Sequence, residues 1–294
     1  MYVQWENETD TLQVVQQYSD TQDLVMVMKP IGVNNIFNVA PPKVIADTAD
    51  TISSDVSSVT MLAQKTESDW FSPHYVTGYT YTGGTHNYTD TTGTYPTGRT
   101  SVIEVLVNGL AVDGDYAGSA SLVKVNWDNE LYLPSTCAED EPTVMMVEHY
   151  TAWSEGVMWH VECEIEFLIN ASWMRYHGMS SVYGAWNGTL TYDGEEPIDI
   201  SGHTSNGDGT STTNRTNSSI LLKEGAHVLK MYVDNMYGLG NRELVAEGNV
   251  TALTAVYNSG AENGKAYFSL ANGNATVSAG DVFTYRGYYH FYSE

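Results

Sequence analysis

The chain has 294 residues, 42% of them hydrophobic, so it can bury a sizeable core as one large domain or as one domain with an attachment segment. Its formal net charge of -24, from 12 basic and 36 acidic residues, creates a field that repels phosphate backbones and argues against nucleic acid as a partner. The same field disfavours anionic membranes and polyanionic glycans unless a local basic pocket overrides it, and no run of about 18 apolar residues is present to insert into a membrane.

In chain order, "MYVQWENETDTLQVVQQY" has neither a basic n-region nor an apolar h-region, so it does not read as a secretory signal. The protein is then expected to reach the outside within a particle or after processing. Residues 1–40 read as a short β-rich attachment segment, with an apolar run in "DLVMVMKPIGVNNIF" and turn signals after it. Residues 41–69 open on two prolines and become rich in Ser, Thr and Asp. Two readings stand for them, a short helix or extended stalk and a plain linker. A stalk implies self-association, most simply as a homotrimer.

From Trp70 to the C-terminus the texture is all β. "TSVIEVLVNGLAVDGDYAGSASLVKVNW" predicts strand, Asn-Gly turn, loop and strand, and "TVMMVEHYTAWSEGVMWHVECEIEFLIN" predicts a hairpin turning at Ser154-Glu155-Gly156. Further strands follow at regular spacing. The fold class is therefore all-β, a jelly-roll-like antiparallel β-sandwich over 70–294. Residues 201–219 form a polar loop of a length that is usually functional.

Composition adds a chemical hint. The 21 Tyr and 7 Trp suit pleated surfaces, and aromatic rings also stack on sugar faces. Most of these rings belong in the core and in cross-strand pairs. Cys137 and Cys163 allow one disulfide, but Cys163 lies on the apolar side of its strand and reads as a buried thiol. No Cys-x-x-Cys, P-loop, GxSxG or HExxH pattern occurs, which argues against a Cys/His metal site and against the chemistries those motifs carry. The histidines are scattered. Hard oxygen donors on Gly-rich turns at 113–118 and 206–211 suit Ca2+, without the spacing of an EF-hand. Asn-x-Ser/Thr sequons at Asn7, Asn87, Asn170, Asn187, Asn214, Asn217, Asn249 and Asn274 follow from a Thr/Ser/Asn-rich composition.

The densest chemical signal is "HVECEIEFLIN", residues 160–170. Val161, Cys163, Ile165, Phe167 and Ile169 alternate with His160, Glu162, Glu164, Glu166 and Leu168, which marks a strand with one buried face. Carboxylates at i and i+2 stand about 6.6 to 7 Å apart at Cα, within the range that glycoside hydrolysis uses. Three further groups stand out. His86 and Arg99 flank a Gly-rich stretch. Arg175, Tyr176 and His177 fall together before Gly178. Arg286 sits among tyrosines in "YRGYYHFY". An Arg that neutralises a uronate and a His or Tyr that takes its C5 proton would make a lyase. Structural ion pairs and loop caps account for the same residues one at a time.

"ECEIEF" resembles the E-x-D-x-E strand of the laminarinase/lichenase-type glycoside hydrolases, which are also jelly rolls. Residue by residue, that resemblance implies Glu162 as nucleophile, Glu164 as its helper and Glu166 as acid/base. Glu164 stands where that family has Asp, and Cys163 where it has an aliphatic residue, and the match covers six residues. A broader resemblance runs from Trp70 to the C-terminus. "DWFSPHYV", "YTGGTHNYTDTTGTYPTGRT", "CEIEFLINASWMRYHGMSSVYGAWNGTL", "MYGLGNREL" and "KAYFSLANGNATVSAGDVFTYRGYYHFY" recur in order. Together they resemble the C-terminal module of tail-associated minor structural and receptor-binding proteins of phages and prophages. That resemblance implies an extracellular, virion-borne protein that contacts a host surface polysaccharide, with residues 1–40 meeting other virion proteins. It leaves open whether the glycan is bound, cleaved, or not engaged at all.

Overall fold

The computed structural model describes residues 1–20, 22–31, 36–46, 60–61, 72–83, 86–90, 97–132, 144–182, 188–192, 195–199, 219–239, 252–256 and 265–294. Within these, side chains are described for 1–18, 20, 22–30, 37, 99–132, 144–170, 188–191, 195–199, 219–232 and 278–294. The described chain is all strand, turn and bend. In chain order the strands are β1 (Tyr2–Glu6), β2 (Thr11–Ser19), β3 (Gln22–Ile31), β4 (Ile36–Ala46), β5 (Thr60–Met61), β6 (Ser72–Gly83) and β7 (His86–Asp90). There follow β8 (Thr97–Val107), β9 (Leu110–Ala111), β10 (Tyr116–Ser119), β11 (Val123–Tyr132), β12 (Val144–Ser154), β13 (Met158–Phe167) and β14 (Ala171–Val182). The last are β15 (Thr189–Tyr192), β16 (Ile198–Asp199), β17 (Ser219–Glu224), β18 (His227–Leu239), β19 (Ala252–Val256), β20 (Lys265–Val277) and β21 (Val282–Ser293).

The fold is an antiparallel all-β sandwich, as the alternation predicts. Its strands form three sheets. A 6-stranded sheet runs β10-β1-β2-β3-β4-β5, a 10-stranded sheet runs β16-β15-β17-β18-β21-β13-β12-β11-β8-β9, and a 5-stranded sheet runs β19-β20-β14-β6-β7. The predicted hairpin is β12–β13, with Trp153 opposite His160 and Ser154 opposite Trp159 across the turn. The Asn-Gly turn is Asn108-Gly109, both at positive φ (50° and 82°), the two-residue geometry that joins β8 to β9.

One core joins the first two sheets. Val3, Trp5, Leu12, Val14, Leu24, Met26 and Phe37 of the 6-stranded sheet pack with Val125, Trp127, Tyr150, Trp159, Val161, Tyr289 and Phe291 of the 10-stranded one. The described part of residues 1–40, a segment expected to serve attachment, thus packs into the sandwich. β10 strengthens this by leaving its sequence neighbours to pair with β1, and the Met1 amino group donates to the Ala120 carbonyl at 3.2 Å. Of the expected stalk or linker, residues 41–46 continue β4 and 60–61 pair with it as β5, while 47–59 and 62–69 lie outside the described residues.

Polar contacts fix how the two sheets register. Gln16 Nε2 donates to Ser154 Oγ at 3.0 Å, tying β2 to the β12–β13 turn. Tyr18 donates its hydroxyl proton to the Tyr292 carbonyl at 3.0 Å, which leaves His227 Nδ1, 2.9 Å from the Tyr18 hydroxyl oxygen, to donate to that oxygen. Burial pushes the Tyr18 phenol up to about 12. The unfolded chain ionises that group near pH 10, so its stabilising contribution is complete below pH 10 and is lost as pH rises towards 12. In urea melts taken between pH 9 and 12, Tyr18→Phe should start lower, by about 1 kcal/mol for the lost hydrogen bonds. Its stability should then decline less steeply than that of the wild type. Parallel curves would refute the assignment.

Candidate functional site

The 10-stranded sheet has a second face, turned away from the core, and antiparallel pairing sets its residues in rungs across the strands. The alternation in "HVECEIEF" holds: Val161, Cys163, Ile165 and Phe167 are buried, and His160, Glu162, Glu164 and Glu166 share the outer face. Cys163 lies in the core with its Sγ 3.8 Å from the Glu164 carbonyl, and Cys137 falls outside the described residues.

The rung nearest the β12–β13 turn is aromatic. Lys124 of β11, Trp153 of β12, His160 of β13, Tyr288 of β21 and Tyr232 of β18 lie opposite one another in that order. Trp153 and His160 stack with ring centroids 5.0 Å apart and planes 9° from parallel. Tyr232 and Tyr288 stack at 4.9 Å and 24°. His160 meets Tyr288 edge to face at 6.1 Å and 63°. Rings stacked across neighbouring strands stand upright on the sheet, so their edges and polar tips are offered outward. Each such pair contributes roughly 0.5–1.5 kcal/mol beyond its burial, which holds the row in place. Lys230 lies over Tyr232 at 5.8 Å from its centroid, and opposite it on β21 His290 packs against Tyr292. Burial lowers the pKa of both His160 and His290, and the neighbouring Lys230 lowers that of His290 further, so neutral rings are favoured at neutral pH.

The next rungs are polar. Asn126 Nδ2 donates to Glu104 at 2.8 Å, Thr151 donates to Asn126 at 2.9 Å, and Arg286 donates to Glu162 at 2.9 Å. Beyond them His149 Nδ1 lies 2.8 Å from Asp128, with Glu164 alongside on β13. Furthest out, Arg99 pairs with Glu130 at 2.7 Å. The hydrogen bond from Arg99, with a second from Tyr132, holds the Glu130 carboxyl below its ordinary range. Glu166 flanks this rung beside Val147.

The sequence-derived candidates therefore divide between sheets. Glu162, Glu164, Glu166, Arg99 and Arg286 stand on the 10-stranded sheet, and of these Glu162 and Arg286 are brought into contact. Arg175, Tyr176 and His177 lie on β14 of the 5-stranded sheet, opposite Thr77, Val76 and Tyr75 of β6, and His86 opens β7 at its edge. The side chains of these four lie outside the described residues. Of the two stretches suited to Ca2+, 206–211 lies outside the described residues. In the other, Asp115 accepts a hydrogen bond from the Asn7 backbone at 2.9 Å. Among the described residues no group of three His, Cys, Asp or Glu side chains is placed to hold a metal ion.

Trp153, His160, Tyr232 and Tyr288 were not among the sequence candidates. Half the signal was available. A turn at 154–156 sets Trp153 against His160, and strand parity puts both on the carboxylate face. The tyrosines join them only through pairing of β13 with β21 and of β21 with β18.

No protein-family model matches the chain, and no curated protein matches it. Among solved structures the chain is similar to the GH36 alpha-galactosidase AgaB from Geobacillus stearothermophilus, with a TM-score of 0.52 and 9% sequence identity. The likeness covers 100% of this chain and 41% of that one, so the chain spans well under half the length of the enzyme it matches. At that identity the likeness shows the fold alone.

Proposed function

We propose that this protein binds a cell-surface glycan of a bacterial host through the outer face of the 10-stranded sheet, as a component of a phage virion. The observation that carries the glycan reading is the aromatic rung Trp153–His160–Tyr288–Tyr232, bordered by the hydrogen-bonding groups of Asn126, Thr151, Glu162 and Arg286. Apolar ring edges beside fixed polar groups match a sugar, whose C–H patches alternate with hydroxyls. The virion setting rests on the resemblance of residues 70–294 to phage tail-associated modules. Affinity at one such open face is modest, and display as a trimer supplies the avidity.

The direct test incubates the protein with purified host surface polysaccharide and follows both by size-exclusion chromatography. Intact chains that co-elute with the protein are the expected result. Intact chains that elute without it would sink the binding reading and leave a structural decoration of the particle.

A second reading has its own observation. Glu162, Glu164 and Glu166 share one face at strand spacing, and shortened chains in the same experiment would make them a hydrolytic site. Glu166→Gln separates the two. Glycan binding should change less than twofold in this variant, because Glu166 is three rungs from the aromatic row, about 20 Å along β13 by strand rise. A hydrolase working through that carboxyl would lose its activity.

A further inference from the structure

Resting on that reading, the geometry points to an acidic glycan, extended across the strands, with anionic groups recurring so that one meets Lys124 while another meets Lys230. In a chain of net charge -24, basic residues are few, and three of the six whose side chains are described are neutralised locally. Arg99 pairs with Glu130, Lys223 with Glu294 and Arg286 with Glu162. Lys29, Lys124 and Lys230 make no ion pair among the described residues. Lys29 lies on the 6-stranded sheet. The other two bracket the aromatic row, Lys124 opposite Trp153 at one end and Lys230 over Tyr232 at the other.

The carboxylates of this face are segregated from that end. Glu162 and Glu104 belong to the next rung, where Glu162 pairs with Arg286 and Glu104 accepts from Asn126, and Glu164, Asp128, Glu130 and Glu166 lie further along the strands. Among the described residues, Glu155 in the hairpin turn brings negative charge to the aromatic end, where its field reaches His160, and Glu104 stands one rung from Lys124. With His160 and His290 held towards their neutral forms, the two lysines are the cations available there.

Spacing sets the shape of the ligand. Lys124 and Lys230 stand on strands separated by four steps of about 4.8 Å, roughly 20 Å in all. One carboxylate or phosphate cannot touch both. A polymer lying across the strands can, with its neutral stretches along the aromatic edges between. The global negative charge then acts as a filter, because a polyanion is repelled everywhere except on this strip.

The test measures equilibrium binding of the full chain to three polymers at low salt: polygalacturonate, poly(glycerol phosphate) and dextran. The expected result is retention of one acidic polymer over dextran, and which one separates a sugar carboxylate from a phosphodiester. Lys124→Gln and Lys230→Gln should each weaken that binding roughly two- to fivefold, as exposed charge pairs do, and raised salt should weaken it further. Dextran bound as tightly as the acidic polymers, no binding to either acidic polymer, or lysine variants without effect would overturn the inference. The glycan reading itself would survive such a failure if intact host polysaccharide still co-elutes with the protein, and both would fall if it does not.

Discussion

Trp127→Ala is expected to remove about 3–5 kcal/mol of folding free energy, the range for deleting a fully buried large aromatic. That is a large share of the roughly 5–15 kcal/mol by which a domain is stable. Trp127 is 1% exposed and sits where the two packed sheets meet. It stacks on Tyr150 of its own sheet at 4.7 Å and 14°, and receives Phe37 of the 6-stranded sheet edge-on at 5.5 Å and 71°. Phe37 in turn meets Trp5 at 6.4 Å and 76°, so one chain of rings crosses the sandwich. Removing the indole leaves a void between two sheets that pairing elsewhere holds apart, and neither sheet can collapse into it. Trp127→Phe should cost far less. Its ring keeps most of the contact, and it removes an indole N–H that has no hydrogen-bond partner among the described residues. Urea unfolding of the three proteins would decide this. Equal losses in the two variants would mean that the nitrogen, and not the ring area, is what the site holds.

What the sequence made legible was local. Strand parity in residues 160–169 gave the buried and open faces correctly, because a period of two survives whatever the strand pairs with. The Asn108-Gly109 turn and the 154–156 hairpin were readable because each closes on its own neighbours. Pro41 and Pro42 misled in the other direction. They suggested a stalk or linker, yet β4 runs through them, because they fall in the register break where Met26 faces both and no regular ladder bond is required. The four residues of β10 carry no hydrophobic alternation, so nothing in "YAGS" announced that they would cross to β1. Glu148, fully buried between Asn129 and Ile165, occupies a position that parity reserves for an apolar side chain. The face itself escaped for a topological reason. Its aromatic row draws on four strands, and two of its three junctions join residues far apart in the chain. Glu162 and Arg286 were both singled out, but as members of separate sites. The pairing of β13 with β21 that makes them an ion pair is a property of the sheet order, not of either segment.

That same row carries the second large effect. Trp153→Ala should weaken glycan binding by about 2 kcal/mol or more, roughly 30-fold, the loss typical of a tryptophan at the centre of a binding surface. Two consequences of the substitution add. The indole ring is lost from the row, and His160 loses the stacked neighbour that holds it in place. Stability should fall much less than for Trp127→Ala, because Trp153 is only partly buried and its side chain faces away from the core. The comparison of the two tryptophans therefore separates a surface that binds from a core that folds. Trp153→Phe should recover part of the affinity by restoring a stacked ring without the N–H. The measurement is a binding isotherm against co-eluting host polysaccharide, with a melting curve for each variant. A Trp153→Ala protein that melts like the wild type and binds like it would take the outer face out of recognition. The search would then move to the 5-stranded sheet, where Arg175, Tyr176, His177 and His86 reside.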